Sequence, residues 1–366
     1  MTTVNTIETF SINETNYIVS NNKVCAYTFP YSSVYREGVD YHYGLDGTPC
    51  ENDGKSETSL ARNLSSYRFF NSLEGTMVRV WFNGREWKVS TNNKINANES
   101  YWSSNASFEQ LFTGYRPLDD YTDKLTVGHT FMFLLESNKD TQMVCTHSTN
   151  TNVYYVGFFD STGKFTFSCD STDNFGFPTP TELKFTTFPE LIRFVNKIDY
   201  TRYQGVICFD SKMNAIKIVN SAYHDYSLLR DPTEPNYLKR FYNLYQSNVD
   251  DAYKLLNILS DRKKSVCTKF VNDLSLFVKK LWNTYFNRYV NKMFIQTSPF
   301  EHYLIKKVLA IYNSTIPKTR VTIDTVRKVV LHEQFEPLNR SLYELYPTYE
   351  SANTGKDNTY KVLNTV

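Results

Sequence analysis

Ser72-Leu73-Glu74-Gly75-Thr76-Met77-Val78-Arg79 leads into Val80-Trp81-Phe82, a turn at Asn83-Gly84-Arg85, and a second apolar run from Trp87 to Ser90. Asn-Gly between two such runs is the strongest short-range hairpin signal, because both residues tolerate the positive φ of a two-residue turn. The stretch therefore predicts strand, tight turn and strand, entered through an acidic residue and a glycine.

Working outward, further β-branched and aromatic runs predict strands at Thr130–Leu135, Met143–Thr146, Val153–Phe159, Lys164–Ser168, Val206–Asp210 and Ala215–Val219. Two helical patterns interrupt them, Ser107–Phe112 and Phe188–Lys197, the second with Pro189 suited to a first turn. After Pro235 the period changes to three-to-four, predicting helices over 236–247, 250–260, 264–291, 299–313, 324–335 and 341–346. Asp324 is the expected N-cap of one of these, and Pro317 and Pro337 punctuate the run. The reading is an α+β domain dominated by antiparallel sheet over 1–235, a helical domain over 236–347, and a disordered tail over 348–366.

Bulk properties exclude several classes. With 41% hydrophobic and 21% charged residues, the 366-residue chain reads as soluble and globular. A net charge of +2 gives no global field for nucleic acid, so such affinity would need a local patch. The six cysteines show no C-x-x-C pair, and His147 beside Cys145 has no second ligand pair, so reduced thiols rather than a zinc site are expected. No stretch approaches the roughly 18–20 apolar residues of a spanning helix. The first residues carry neither the basic nor the apolar part of a signal peptide. No membrane partner is expected, and the expected location is the cytoplasm. There is no G-x-x-x-x-G-K-[ST] phosphate loop.

The order of parts around Ser72–Ser90 resembles the first motif of the covalent nucleotidyltransferases, K-x-D/E-G, in the arrangement of phage-type RNA ligases. Thr130–Val144 is similar to their third motif, Val153–Asp160 to the strand after it, Gln204-Gly205-Val206 to the fourth (E-G-V), and Lys217-Ile218-Val219 to the fifth (K-x-K). The resemblance covers about residues 60–230, and that family also appends a helical domain. It implies a nucleotidyltransferase fold of the ligase type, and nucleotide or RNA contacts from Glu74, Gly75, Arg79, Lys94, Phe133, Gln204 and Lys217. An active member would use ATP and Mg²⁺ and form a lysyl-nucleotidyl intermediate.

The chain departs from the pattern at four places. Ser72 stands for the nucleophilic lysine, Leu134 for a carboxylate of the third motif, Gln204 for the fourth-motif glutamate, and Val219 for the second lysine of the fifth. A serine has no amine with which to form a phosphoramidate. Glutamine keeps hydrogen bonding but loses the charge that holds a hard cation. A lost lysine removes a point charge from a transferring phosphate. The leading expectation is a catalytically degenerate RNA-ligase-like protein that binds nucleotide, RNA ends or a protein partner. The first alternative is an active ligase using a displaced lysine, Lys94 or Lys88, although alternation on the strand turns Lys88 to solvent. The second is a structural or assembly protein of a virus that keeps the fold as a scaffold, in a virion or viral factory.

In the helical half, Lys279-Lys280, Lys292 and other cations are interleaved with Trp282, Tyr285, Phe286, Tyr289 and Phe294. Such a mixture either tracks a nucleic-acid backbone or divides into a buried aromatic face and a solvated basic one.

Overall fold

A computed structural model describes residues 10–346, apart from 13–16, 22, 31, 36–40, 44–48, 52–59, 103–105, 137–143, 146–149, 231–233, 235 and 315–319. The strands are β1 Ser11–Ile12, β2 Ile18–Ser20, β3 Lys23–Ala26, β4 Ser33–Tyr35, β5 Tyr41–Tyr43, β6 Pro49–Glu51, β7 Arg68–Ser72 and β8 Gly75–Phe82. They continue with β9 Trp87–Thr91, β10 Thr130–Glu136, β11 Val153–Phe159, β12 Phe165–Phe167, β13 Glu182–Leu183, β14 Gly205–Phe209 and β15 Ala215–Val219.

Two five-stranded sheets dominate, in the orders β12-β11-β10-β8-β9 and β13-β7-β14-β15-β4. The stretch from Ser72 to Gly75 is the crossing between them: Ser72 ends β7 in one sheet and Gly75 begins β8 in the other. Gly75 is required there by close approach, since a Cβ would meet the Leu135 carbonyl oxygen at 2.2 Å. Gly205 is required for the same reason, with φ +148° and a Cβ 2.0 Å from the Ile218 carbonyl oxygen. The predicted hairpin is β8–β9, in register from Phe82↔Trp87 to Val78↔Thr91.

Alternation along β8 divides its side chains. Val78 and Val80 join Phe112, Tyr121, Phe131, Phe133 and Phe177 in a core on one face of the first sheet, closed by α1 (Phe108–Tyr115). Ser107 caps that helix, exchanging bonds with Gln110 in a capping box. Met77 faces the second sheet across a cluster that includes Phe70, Met132, Phe159, Phe167 and Phe209. The far face of the second sheet is covered by α2 (Phe188–Lys197), whose Leu191, Ile192 and Val195 pack on Val206 and Ile218. A three-stranded sheet β1-β2-β3 places Ile18 and Ala26 against Trp81. From it, residues 27–32 lead to β4, which pairs in parallel with β15. On that path Phe29 packs between the sheets, with ring centroids 4.7 Å from Phe165 and 5.3 Å from Phe209.

The chain divides into two compact units between Leu228 and Leu229, inside α3 (Ser221–Arg230). The second unit contains α4 Tyr237–Ser247, α5 Val249–Asn257, α6 Asp261–Tyr285, α7 Pro299–Ser314, α8 Ile323–Leu331 and α9 Phe335–Leu345. Its core includes Phe241, Tyr242, Phe270, Phe277, Leu304, Val330 and Leu338, all buried. The fold is thus mixed α+β with antiparallel sheets and a helical C-terminal region.

Several expectations need correction. The N-cap of α8 is Thr322, in a capping box with Thr325, while Asp324 sits in the first turn. Pro337 does not separate helices but lies in the first turn of α9, where no intrahelical N–H is needed. Of the predicted strand Met143–Thr146, the ends lie outside the described residues, and Val144 and Cys145 are not strand. His147 and the expected tail also lie outside the described residues. Described cysteines Cys145, Cys169, Cys208 and Cys267 are free thiols.

Candidate functional site

Between the two five-stranded sheets lies a cavity of about 210 Å³. Its polar end is built by β7, β14 and β15. Ser72↔Gly205 and Gly205↔Val219 are register pairs, so the ends of three strands stand side by side. Gln204, just before β14, is locked by its backbone: its N–H donates to the Ser72 carbonyl at 2.8 Å, and its carbonyl accepts from Asn220 at 2.9 Å. Lys217 Nζ donates to Gln204 Oε1 at 2.7 Å, and Ser72 Oγ donates more weakly to the same oxygen at 3.5 Å. Ser72, Asn71 and Lys217 line the cavity. Burial lowers the pKa of Lys217 below the ordinary lysine value, opposed by the charge of nearby Glu74.

The opposite wall is apolar except for Asn92, just past β9. Met77 of β8, Leu134 of β10 and Val156 of β11 line it, with Phe29, Phe70, Phe167 and Phe209 filling the inner end. Two residues past Leu134, Glu136 is buried, pairs in register with Gly75 and accepts from Asn152 Nδ2 at 2.8 Å. This carboxylate was not picked out from the sequence, although strand alternation puts it on the same face as Leu134.

Four sequence-singled positions therefore meet here: Ser72, Leu134 and Lys217 line the cavity, and Gln204 joins Ser72 to Lys217. Gly75 lines it as well. The others are elsewhere. Glu74 is 2% exposed; its Oε2 accepts from the backbone N–H groups of Val144 and Cys145 at 2.9 and 2.8 Å, and its Oε1 from the Tyr223 hydroxyl at 2.6 Å. It thus holds the 144–145 segment and the start of α3 behind the cavity. Beside it, burial pushes the Cys145 thiol well above its ordinary value.

Arg79 is fully buried, donating to Ser90 Oγ and the Thr91 carbonyl, both at 2.9 Å. Burial lowers its pKa to about 10, which leaves it charged at neutral pH. Phe133 faces away from the cavity into the aromatic core, 4.9 Å from Phe177 and 5.2 Å from Phe112. Lys88 pairs with Glu86 at 2.7 Å and is 43% exposed. Lys94 is tied through its backbone to Thr91 and does not line the cavity. Val219 is buried in β15.

This donor set does not fit a hard divalent cation, which takes six or more oxygens, carboxylates prominent among them. Among the described residues no group of three or more His, Cys, Asp or Glu could hold a metal. No described helix is long and apolar enough to cross a membrane.

No protein-family model matches the chain. Two viral proteins are similar to it. One is the immediate-early protein ICP-46 homolog of Invertebrate iridescent virus 3, 24% identical over 281 residues, covering 74% of this chain and 61% of that protein. The other is its counterpart in Invertebrate iridescent virus 6, 22% identical over 351 residues, covering 86% and 75%. The chain thus spans less than two thirds of the first relative's length. Among solved structures, Naegleria gruberi RNA ligase with PPi is similar at a TM-score of 0.36 and 10% identity, covering 45% of this chain and 53% of that one. An archaeal ATP-dependent RNA ligase is similar at 0.36 and 12% identity, covering 53% and 57%.

Proposed function

We propose that this is a viral, catalytically degenerate RNA-ligase-like protein whose remodelled cleft binds a nucleotide or the phosphorylated end of an RNA without forming a covalent adduct. The observation that carries the reading is the convergence of Ser72, Leu134, Gln204 and Lys217, read separately from the sequence, around one cavity between two sheets. The likeness to the viral proteins supports the source.

In this reading the ligand's anionic group meets Lys217 and the Ser72 hydroxyl, with Gln204 fixing the lysine's position. Approach of a phosphate favours the ammonium form of Lys217, reversing the effect of burial. The sugar or base lies against Met77, Val156 and Phe167. Ser72 Oγ donates to an amide oxygen, which is no base. The protein would act in the host cytoplasm or a viral factory.

The test is incubation with ATP or GTP labelled at the α-phosphate, with Mg²⁺ or Mn²⁺. The expected result is no acid-labile, hydroxylamine-sensitive adduct, together with saturable binding that Lys217→Met weakens roughly tenfold or more. An adduct lost on Lys94→Ala or Lys88→Ala would overturn the proposal in favour of an active ligase. One feature favours the scaffold alternative: the chain's own Phe29 already occupies part of the cleft. Absence of both adduct and binding would favour that reading instead.

A further inference from the structure

The second unit carries an apolar tip that its core does not use. After α6 the chain makes a wide turn over Phe286–Val290 and reverses at Lys292, a non-glycine residue at φ +56°. The turn is closed by Asn291 N–H to the Phe286 carbonyl at 3.1 Å, Met293 N–H to the Asn287 carbonyl at 2.9 Å, and Asn291 Nδ2 to Asn287 Oδ1 at 2.9 Å. Arg288 Nη1 pins the outgoing strand of the loop through Thr297 Oγ1 at 3.1 Å. A left-handed residue held by bonds back to the last helical carbonyls ends the helix and also fixes the direction of the next residues. The turn so presents Met293, 54% exposed, and Phe294, 90% exposed, beside Val290 at 54%.

Three large apolar side chains on one bonded turn are not scattered surface residues. The sequence that carries them is basic: from Leu274 to Phe300 it has Lys279, Lys280, Arg288 and Lys292 and no carboxylate. Lys280 is paired with Glu301 and Arg288 is bonded to Thr297, while Lys279 and Lys292 are exposed.

The chemistry of the tip selects the occupant. Stacking of nucleic-acid bases needs free aromatic faces. Here Phe294 offers a single free aromatic face, with no second one beside it for a neighbouring base: Trp282 stacks on Phe286 at 5.7 Å and Tyr285 on Tyr289 at 5.6 Å, and two of the three exposed residues are aliphatic. A stable protein interface needs about 1,000 Å² or more, far beyond one turn. A lipid surface needs only a few apolar side chains at the acyl boundary and cations at the headgroups. We propose that Val290, Met293 and Phe294 insert into an anionic membrane surface, with Lys292 at its phosphate level. No spanning helix is required.

The experiment is sedimentation of the full chain with vesicles of phosphatidylcholine alone or mixed with phosphatidylserine. Expected are binding to the mixed vesicles only, weakening with salt, and a loss of roughly tenfold or more in the Met293→Ser, Phe294→Ser double variant. Phe294→Trp should be quenched by brominated lipid more than the parent protein. Both positions are exposed, so the variants should fold, as circular dichroism checks. No binding to mixed vesicles, binding equal to pure phosphatidylcholine, or an unimpaired double variant would each overturn the proposal. So would loss of single-stranded RNA binding by the tip variants without any vesicle binding.

Discussion

The two walls of the cavity differ in kind. On the β7-β14-β15 wall, Ser72, Gln204 and Lys217 are polar, and each is tied to another member of the group. On the β8-β10-β11 wall, Met77, Leu134 and Val156 offer no polar atom for a ligand except weak sulfur. Polar groups persist in a buried wall when they satisfy one another, because an unpaired one costs far more than a made bond returns. The apolar wall has no such bond to lose. A ligand in this cavity therefore meets charge from one side only. That arrangement holds an anion in place but does not surround a reacting phosphate.

The sharpest way to break the comparison is to remove what supports the polar wall from behind. Glu74→Ala should destabilise the protein by about 3–5 kcal/mol in urea unfolding, because three buried donors lose their acceptor and nearby Lys217 loses an opposing charge. A loss below about 1 kcal/mol would mean the wall stands without Glu74. Tyr223→Phe removes one of those bonds and should cost about 1.5–3 kcal/mol.

Lys217→Met tests the burial of the amine through pH. With its folded pKa lowered, Lys217 binds its proton less tightly in the folded than in the unfolded chain. Stability therefore rises as pH climbs from the lowered value toward the ordinary 10.5. The variant should lose that increment, seen as a flatter difference profile between the two proteins; identical slopes would contradict the burial. Lys88→Ala, which removes an exposed pair on the outer side, should change stability by less than about 0.5 kcal/mol. A larger effect would mean that the Lys88–Glu86 pair contributes more than an exposed pair does.

Much of this fold was legible where local chemistry is strong. Asn83-Gly84 marked the β8–β9 hairpin, and three-to-four apolar spacing marked the helices after Pro235, while the change from sheet to helix comes earlier, at α3. The strand β7 escaped notice because Arg68-Phe69-Phe70-Asn71-Ser72 is flanked by polar residues and packs apolar side chains on both faces, so it shows no alternation. Strands of two to four residues near the start carry too little pattern to read.

Within the site, the positions of Ser72, Gln204 and Lys217 were legible through motif order. The role of Arg79 was not. Its place in the alternation of β8 puts it on the cleft face, yet only the approach of Ser90, Thr91 and the Tyr27 segment, set by tertiary packing, encloses it. Phe133 misled for the complementary reason: one residue along a strand turns a side chain from cleft to core.

The place of Phe29 between the sheets, shortly before β4, also sets an order of assembly. Ser33 Oγ bonds to the Ala215 carbonyl 182 residues further along, and β4 joins its sheet only beside β15. During synthesis, Tyr27 and Thr28 can find Thr130 and Asn92 early, but β4 must wait for its neighbour β15 until almost the whole first unit has left the ribosome. The cleft is then among the last parts of that unit to close. Substitutions in β4 should show in the yield of folded protein at synthesis before they show in its equilibrium stability.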